Sequence, residues 1–323
     1  MKILQVVPYS EIGGTEKAAA LLSCGLAAKG HKVTVLCPEG PGRKLFAGLE
    51  LELLPQSFLQ RRRLVRMLAP AYDLIHIHAA RELVAAYQKP VVFTPHSYYN
   101  RLDQLMVGVF AKKASVICFT RWEEQLLQDL GLRKTAVIPN GIGDAILPAE
   151  RNEGFPLKIG YMGRLAKDKG LDLLLRELAK VKEPYQLLIA GVGKEEEKLQ
   201  AIAKELGIPA VFLGIQEPAA FLSSIDIFVL PSRTETFGLA LVEAMSAGLC
   251  CVAADVCGLK EILGDAGITV PHDELAQALE KLLQDRGLRE SLGKKARERF
   301  LSCYTEERMI SDTEKFYVSL LNW

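Results

Sequence analysis

Short apolar runs alternate with amphipathic stretches along the whole chain. Several runs, such as Val91–Thr94 and Ile225–Leu230, are apolar at nearly every position, which is typical of strands covered on both faces in a parallel sheet. This alternation predicts an α/β protein built from doubly wound parallel sheets with right-handed crossovers. The predicted helices include Glu16–Lys29, Gly170–Lys182, Lys194–Leu206 and Leu239–Ala247. The predicted strands are Ile3–Val7, Lys32–Cys37, Leu74–Ile77, Val91–Thr94, Val116–Phe119, Thr135–Ile138, Leu157–Met162, Gln186–Ala190, Val211–Leu213, Ile225–Leu230, Cys251–Ala254 and Ile268–Val270.

A candidate domain junction lies between Gly141 and Pro156, where glycines and prolines stand among charged residues and a new predicted strand follows at once. A length of 323 residues is enough for two domains. We therefore predict one Rossmann-like domain over residues 1–145 and a second over residues 146–304. Two such sheets would bind ligands in an interdomain cleft at the carboxyl ends of their strands.

Composition narrows the class of partner. Apolar residues make up 49% of the chain and charged residues 24%, and the formal net charge of +1 gives no field that would attract nucleic acid. Seven scattered cysteines include no C-x-x-C pair, which indicates reduced thiols rather than a zinc site or a redox motif. The pattern predicts neither a signal peptide nor a membrane span. We expect a cytoplasmic protein that binds a small molecule and no nucleic acid.

The stretch Ile225–Gly248 holds the most chemistry. Its pattern predicts a buried strand, then a polar loop that presents Arg233 and Glu235, then a helix that starts near Gly238. The unpaired backbone N–H groups of such a helix start favour phosphate oxygens. The stretch therefore suits a phosphorylated ligand.

Glu235 and Glu243 are two carboxylates with seven residues between them. Carboxylates accept hydrogen bonds from hydroxyls, so the pair suits a polyhydroxylated sugar. The alternative is that Glu235 is only a helix-start acid and that Glu243 is a solvated helix residue. The apolar neighbours of Glu243 on both sides argue against the solvated position.

A second segment, Gly160–Gly170, places two cations where a predicted strand ends and a helix begins. Arg164 and Lys169 would neutralise a diphosphate, and fixed cations stabilise a departing diphosphate more in the transition state than in the ground state. The alternative is an ordinary strand–turn–helix with solvated basic residues.

Two glycine turns follow other predicted strands. Gly191 and Gly193 begin a dinucleotide-type pattern, but Glu196 stands where its third glycine belongs, so a dehydrogenase is not indicated. Gly13 and Gly14 follow the first strand. They either allow a close backbone approach to a phosphate or serve only tight packing.

The spacing of Glu235 and Glu243 resembles the E-x7-E motif of retaining glycosyltransferases of the GT-B fold, family 4 type (glycosyl transferases group 1). The segment that begins at Gly160 is similar to the G-R-L-x-x-x-K-G pattern of the same family. The resemblance implies that Glu235 is catalytic and contacts the donor hexose beside the reacting carbon, and that Glu243 holds the nucleotide ribose. The other donor-binding residues that it implies are Arg164 and Lys169 at the diphosphate, the backbone of Gly238 and Leu239, the glycine loops of Gly14 and Gly193, and Ile215 beside the nucleotide base.

By the same resemblance, His96 is the active-site histidine that contacts the transferred sugar. Ser97 follows it, where the family often has aspartate. Cys250 stands where the family usually has proline, and Cys257 where it often has glycine. These departures affect the surroundings of the donor site more than the class of activity.

Two further histidines, His76 and His78, stand two positions apart on one predicted strand. We predict that they face opposite sides of the sheet. His76 would then be a hydrogen-bonded structural histidine, and His78 would line the acceptor cleft.

The resemblance implies a retaining transferase that moves a hexose from a nucleotide-diphosphate sugar, most simply a UDP-sugar, to a hydroxyl of a glycan or lipid-linked acceptor. No D-x-D motif offers carboxylates for a divalent ion, so we expect no metal and no other cofactor. Residues 305–323, in the helical C-terminal stretch, would return to the first domain. The alternatives are a nucleotide-sugar epimerase or phosphorylase of the same fold, or a non-catalytic nucleotide-sugar-binding protein.

The stretch Gln60–Leu68 combines Arg61, Arg62 and Arg63 with apolar residues at helical spacing. One interpretation is a membrane-surface helix that brings the enzyme to a lipid-linked acceptor at the inner membrane face. The other is an amphipathic surface helix that covers the sheet. The pattern favours the second interpretation.

Overall fold

The computed structural model describes residues 1–9, 11–84, 87–96, 101–144 and 154–321. The chain divides into two compact units, Met1–Ile142 with Thr305–Trp323, and Gly143–Tyr304. The centre of the predicted junction, residues 145–153, and Ser97 lie outside the described residues.

The described part of the first unit is a seven-stranded sheet in which each strand runs parallel to its neighbours. The strand order is β3-β2-β1-β4-β5-β6-β7. The strands are β1 (Lys2–Val6), β2 (Lys32–Cys37), β3 (Glu50–Leu53), β4 (Leu74–His78), β5 (Val91–Thr94), β6 (Ser115–Cys118) and β7 (Thr135–Val137). The α-helices are α1 (Gly14–Ala28), α2 (Phe58–Leu68), α3 (Arg101–Phe110) and α4 (Arg121–Asp129), with 3₁₀ turns at Pro41–Phe46, Ala69–Ala71, Arg81–Leu83 and Ala111–Lys113.

Strand β3 was missed by the sequence prediction. Its residues alternate Glu and Leu, and Leu53 is half exposed, so the strand lacks the continuous apolar run of its neighbours. It lies at the sheet edge and pairs only with β2, and Thr34 Oγ1 donates to Glu50 Oε2 at 2.9 Å. A short, charged edge strand is a common way to end a sheet.

The second unit contains a six-stranded sheet whose neighbouring strands are also parallel. The strand order is β10-β9-β8-β11-β12-β13. The strands are β8 (Leu157–Met162), β9 (Tyr185–Ala190), β10 (Ala210–Phe212), β11 (Ile227–Leu230), β12 (Cys250–Ala254) and β13 (Ile268–Val270). The α-helices are α5 (Leu171–Leu178), α6 (Glu196–Glu205), α7 (Pro218–Ser223), α8 (Leu239–Ser246), α9 (Leu259–Leu263), α10 (Leu275–Gln284) and α11 (Arg286–Cys303), with 3₁₀ turns at Lys167–Lys169 and His272–Glu274.

The last helix, α12 (Glu306–Leu321), packs on α1 in the first unit. The chain reaches it through a close approach at Gly141, where an added Cβ would lie 2.3 Å from the Thr305 carbonyl oxygen. A second close approach lies at Gly25 of α1, where a Cβ would lie 2.1 Å from Ile310 Cδ1. Glycine at both positions therefore lets α12 lie directly against this unit.

The strand orders confirm the predicted doubly wound parallel sheets. In each sheet the order reverses once, between β1 and β4 in the first and between β8 and β11 in the second. Apolar side chains fill the space between sheet and helices on both faces of the first sheet. Open α/β sheets bind ligands at the carboxyl ends of the strands beside such a reversal.

Candidate active site

Lys169 and Glu235 meet at the reversal in the second sheet. Lys169 Nζ lies 2.7 Å from Glu235 Oε2, and both side chains are largely buried. Ser232 Oγ donates to the same carboxylate oxygen at 3.3 Å. A buried cation therefore lies directly beside the carboxylate that the family resemblance implies to be catalytic.

Backbone contacts hold the loops after β8 and β11 together. The Arg233 N–H donates to the Asp168 carbonyl at 2.8 Å, and a Cβ added at Gly170 would lie 2.0 Å from the Pro231 carbonyl oxygen. Gly170 has φ +67°, a conformation that glycine adopts without strain. This close packing brings together the two chain segments that carry Lys169 and Glu235.

Arg233 does not point into the site as the sequence suggested. Its guanidinium makes two hydrogen bonds to Asp172 of α5, at 2.6 and 2.8 Å, and a third to the Lys167 carbonyl at 2.8 Å. These bonds to the guanidinium lower the pKa of Asp172 and raise that of Arg233. Arg233 therefore fastens the β11 loop to α5, which leaves Lys169 as the cation beside Glu235.

Arg164 is placed differently from Lys169. Its side chain is 64% exposed and pairs with Asp168 at 3.2 Å. The backbone of Arg164 is held by a hydrogen bond, because the buried Tyr161 hydroxyl donates to the Arg164 carbonyl at 2.9 Å. An exposed guanidinium on a fixed backbone is accessible to an incoming anion.

The start of α8 lies beside Glu235. Gly238 precedes the helix with φ +79° and ψ +58°, and a Cβ added there would lie 3.4 Å from Glu235 Cγ. Leu239 is the first helical residue, and Glu243 follows about one turn later, partly buried. The structure thus places Gly238 against the Glu235 side chain and Glu243 on the same helix.

The glycine loop after β9 packs on the β8 loop. A Cβ added at Gly193 would lie 2.1 Å from the Leu165 carbonyl oxygen, and the Leu165 N–H donates to the Val192 carbonyl at 3.0 Å. This contact alone requires glycine at position 193, and its predicted role in donor binding stays a prediction. Ile215, after β10, is 79% exposed.

Of the two cysteines that replace family residues, Cys257 is close to this site, whereas Cys250 begins β12 at the opposite, amino end of the strand. Cys257 has φ +50°, and its thiol lies near the Glu235 backbone N–H. Burial is the main cause of the raised pKa of this thiol. Cys250 is buried in β12. Cys257 therefore lies near the backbone of the predicted catalytic residue.

In the first unit, the loop after β1 is shaped by Glu16. This buried carboxylate accepts the Gly13 N–H at 3.1 Å, and a Cβ at Gly13 would lie 2.7 Å from Glu16 Oε2. Gly14 is exposed at the first position of α1. The Gly13 amide is therefore engaged, and Gly14 is the exposed glycine of the loop.

The prediction that His76 and His78 face opposite sides of the sheet is wrong. Residues two apart on a strand share a face, and their ring centroids lie 4.0 Å apart. His76 contacts Tyr317 Oη at 2.5 Å and Thr94 Oγ1 at 2.8 Å, as expected of a structural histidine. His78 is also buried, between Gln5 and His96, rather than exposed to an acceptor.

His96 follows β5 in an unusual backbone conformation. Its φ is +62°, which costs a residue other than glycine about 1–3 kcal/mol and persists only where the surroundings enforce it. His96 Nε2 lies 2.9 Å from His78 Nδ1, and the ring packs edge-on against Phe119 at 5.3 Å. Burial lowers the pKa of His96 to about 3, so the ring is neutral at pH 7. Beside it, a cavity of about 20 Å³ has room for about one water molecule.

Several residues that build these sites had little or no recognisable signal in the sequence. Ser232 and Asp172 belong to neither motif, and Tyr161 lies in the Gly160–Gly170 segment, where no role was predicted for it. Gln5 had one signal, a polar residue inside the apolar run of β1.

Among the described residues, no group of three or more His, Cys, Asp or Glu side chains is arranged to hold a metal ion. No helix in that part of the chain has the length and apolar composition that crossing a bilayer requires.

Comparison with known proteins identifies the family. The model for Glycosyltransferase Family 4 matches residues 12–145, and the model for Glycosyl transferases group 1 matches residues 145–299. The chain is 29% identical to the phosphatidyl-myo-inositol mannosyltransferase of Mycolicibacterium smegmatis, over 93% of this chain and 89% of that protein. It is 27% identical to the glycogen synthase of Mycobacterium tuberculosis, over 99% and 95% of the two chains.

Solved structures show the same fold. HepE from Anabaena, in complex with UDP and glucose, matches with a TM-score of 0.86 and 20% identity over 99% of this chain and 100% of that one. Sucrose-phosphate synthase from Thermosynechococcus elongatus matches with a TM-score of 0.84 and 19% identity over the full length of both chains. The fold is therefore GT-B. The two family models span residues 12–299 between them, and this chain is an enzyme that belongs to the glycosyl transferases group 1, of the family 4 type.

Proposed function

We propose that this glycosyltransferase moves a hexose from a UDP-sugar to a hydroxyl of a glycan or lipid-linked acceptor, with retention of configuration and without a metal ion. The observation that carries the proposal is the contact of 2.7 Å between Lys169 Nζ and Glu235 Oε2 at the carboxyl edge of the second sheet. A cation that suits a diphosphate is adjacent there to a carboxylate that suits sugar hydroxyls. A nucleotide sugar requires this adjacency, because its hexose is bonded directly to its diphosphate.

In this reaction the bond between the anomeric carbon and the diphosphate oxygen breaks, and the acceptor oxygen bonds to that carbon. The diphosphate leaves with the electron pair, and the acceptor proton passes to a leaving phosphate oxygen on the same face. Negative charge therefore grows on the diphosphate in the transition state. Lys169 and Arg164 stabilise that charge, with the backbone N–H groups at the start of α8.

These cations would supply the positive charge that a divalent ion supplies in metal-dependent transferases. The contact at the site supports this arrangement, because the Lys169 ammonium donates a hydrogen bond to Glu235, where a divalent ion would otherwise bind the carboxylate. Glu243 would bind the ribose, Ile215 and Gly193 would border the nucleotide, and Gly14 would contact the phosphate. His96 would contact the transferred hexose. UDP is the first donor to test, since the structurally similar HepE is described with UDP and with UDP-glucose.

Removing the Lys169 ammonium should weaken UDP binding. We expect Lys169→Ala to cost about 1.5–3 kcal/mol, or about 10- to 150-fold in Kd, because a charge-assisted bond to the diphosphate is lost. Arg164→Ala should fall at the lower end, because its guanidinium is more exposed. Calorimetric titration with UDP, GDP, ADP and TDP measures both affinities and base preference.

Lys167→Ala is the matched control, because it removes an exposed lysine from the same 3₁₀ turn while its backbone carbonyl still accepts Arg233. It should bind UDP within about twofold of wild type. Equal losses at Lys167 and Lys169 would contradict the assigned role of Lys169. Failure of the wild type to bind any nucleoside diphosphate or to transfer sugar would overturn the proposed function.

The exposed face of the basic helix α2 supports the membrane-surface interpretation of this helix. Leu59 and Met67 are 74% and 68% exposed, and Arg62, Arg63 and Arg66 are exposed on the same helical face. Arg61 is different, because its Nε donates to the Pro55 carbonyl at 2.5 Å. An exposed face that mixes arginines with apolar side chains supports peripheral contact with an anionic membrane.

Helix α3 also has an exposed face with apolar side chains. Leu102, Leu105 and Val109 form an exposed apolar stripe at helical spacing, and Lys112 and Lys113 follow it. Buried residues of α2 and α3 belong to one apolar cluster, so both helices cover the same face of the first sheet. The relative that acts as a phosphatidyl-myo-inositol mannosyltransferase supports a lipid-linked acceptor for this chain.

Vesicle sedimentation tests this contact. We expect wild type to sediment with vesicles of 30% phosphatidylserine at low salt, and Arg62→Ala, Arg63→Ala and Arg66→Ala together to remove about 3 kcal/mol of binding, at about 1 kcal/mol per arginine. The control is Arg176→Ala, Lys182→Ala and Lys204→Ala, which removes equal charge from exposed positions of the second unit. Equal sedimentation of both triple variants would contradict a membrane role for α2.

A further inference from the structure

A line of buried hydrogen bonds leads from the middle of β1 to His96. Gln5 is fully buried in β1, and its Oε1 lies 2.8 Å from His78 Nε2. His78 Nδ1 lies 2.9 Å from His96 Nε2. The Gln5 amide nitrogen faces α12, 3.5 Å from Tyr317 Oη. One polar residue of the first strand is thereby connected to the predicted active-site histidine.

The positions of the hydrogens follow from the chemistry of this line. Burial lowers the pKa values of His78 and His96 far enough that both rings are neutral at pH 7, and a neutral imidazole has one N–H and one lone pair. An amide oxygen only accepts, so His78 Nε2 carries the hydrogen toward Gln5. His78 Nδ1 must then accept, and His96 Nε2 must donate to it.

The orientation of the Gln5 amide decides this outcome. With the amide nitrogen toward Tyr317, the phenol accepts from Gln5 and donates to His76 Nδ1, and His76 Nε2 donates to Thr94 Oγ1. Each of these buried groups then has a partner of the right kind. The opposite amide orientation would turn N–H toward His78 and would reverse the tautomers of His78 and His96.

We propose that Gln5 and His78 are positioning residues, which hold His96 as its Nε2–H tautomer and present His96 Nδ1 as a hydrogen-bond acceptor for a substrate hydroxyl. The inference rests on the proposed function, in which His96 contacts the transferred sugar. The backbone at φ +62° and the Phe119 ring fix the direction of the imidazole, and the buried line fixes which nitrogen carries the hydrogen. A histidine fixed in this way accepts from a hydroxyl and offers no N–H to an acceptor-only group.

The first test measures the tautomer and does not depend on activity. The chain has five histidines, so ¹⁵N-histidine labelling gives a spectrum that one His96→Gln variant assigns at this position. In the wild type at pH 7 we expect His96 Nε2 to carry the hydrogen and Nδ1 to have the shift of an unprotonated nitrogen. A hydrogen on His96 Nδ1 would overturn the proposal whether or not the enzyme is active.

The second test compares two substitutions at one position. His78→Asn keeps an acceptor oxygen close to the position of Nδ1, whereas His78→Leu keeps none. We expect His78→Leu and Gln5→Met to lower kcat by at least about tenfold with the UDP affinity unchanged, and His78→Asn to keep kcat within about threefold of wild type. The melting temperature should fall in all three variants, because each loses a buried hydrogen bond.

The two tests separate this inference from the proposed function. Equal loss of kcat in His78→Asn and His78→Leu would mean that His78 is only structural, and would overturn the positioning role. A wild type that binds UDP but transfers no sugar would instead contradict the proposed function, while the ¹⁵N spectrum would still decide the tautomer of His96.

Discussion

Replacing Glu235 with alanine is expected to lower the rate of sugar transfer by about a hundred- to a thousandfold, as removal of one catalytic hydrogen-bonding or charged group commonly does. UDP affinity should stay equal or rise. In the wild type Lys169 Nζ forms an ion pair with Glu235 Oε2 at 2.7 Å, and in the variant Lys169 would be free to bind the diphosphate. Steady-state kinetics and calorimetric titration on the same protein preparation measure both quantities.

The pattern of this result separates two roles for the carboxylate. A residue that binds the nucleotide would lose UDP affinity with turnover, whereas a residue at the reacting carbon would lose turnover alone. Glu235→Gln keeps the shape and removes the charge, so it should resemble Glu235→Ala in rate. Glu290→Ala, which removes an exposed partner of Arg286, is the control and should leave both quantities unchanged. Transfer at the wild-type rate in Glu235→Ala would refute the site assignment.

The fold was predictable from the sequence because most of its strands are parallel strands that are buried on both faces of the sheet. A strand buried on both faces needs apolar residues at successive positions, and β11 and β12 have them, so their positions in the sequence were recognisable. β3 was missed in the sequence because it lies at the exposed edge of the sheet, where Glu and Leu alternate and no continuous apolar run forms. The error at His76 and His78 came from applying the strand period wrongly, since residues two apart share a face.

The candidate site was predictable in its location and less so in its contacts. Residues at strand ends and helix starts, such as Lys169 and Glu235, lie near one another because parallel strands end at one sheet edge. Which cation faces which carboxylate depends on packing across the fold. Arg233 looked as accessible as Glu235 in the sequence, yet it binds Asp172 on a helix 61 positions away.

Some predicted roles concern binding to ligands and stay predictions. Gly193 lies where a donor loop would be, but the Leu165 carbonyl already excludes any side chain there. The line of buried hydrogen bonds at Gln5, in contrast, had a signal in the sequence. A single polar residue in an apolar strand indicates a buried hydrogen-bond network. Such a residue is a useful signal because burying an unpaired amide is costly.

Gly170→Ala is expected to destabilise the second unit by about 2–5 kcal/mol, the sum of about 1–2 for the left-handed backbone and about 1–3 for overpacking. Gly170 has φ +67°, and an added Cβ would lie 2.0 Å from the Pro231 carbonyl oxygen. The clash would push the β11 loop away from the 3₁₀ turn that ends at Lys169, so UDP affinity and sugar transfer should also fall. Denaturant unfolding and UDP titration measure these effects.

Gly207→Ala isolates the contribution of the close contact. Gly207 has φ +66°, nearly the same φ as Gly170, but nothing lies within 4 Å of the Cβ that would be added there. This variant should therefore show only the backbone cost of about 1–2 kcal/mol and should bind UDP normally. The difference between the two variants is the free energy with which the Pro231 carbonyl opposes a side chain at position 170. Equal destabilisation, with UDP binding intact in both, would mean that this contact does not set the spacing of Lys169 and Glu235.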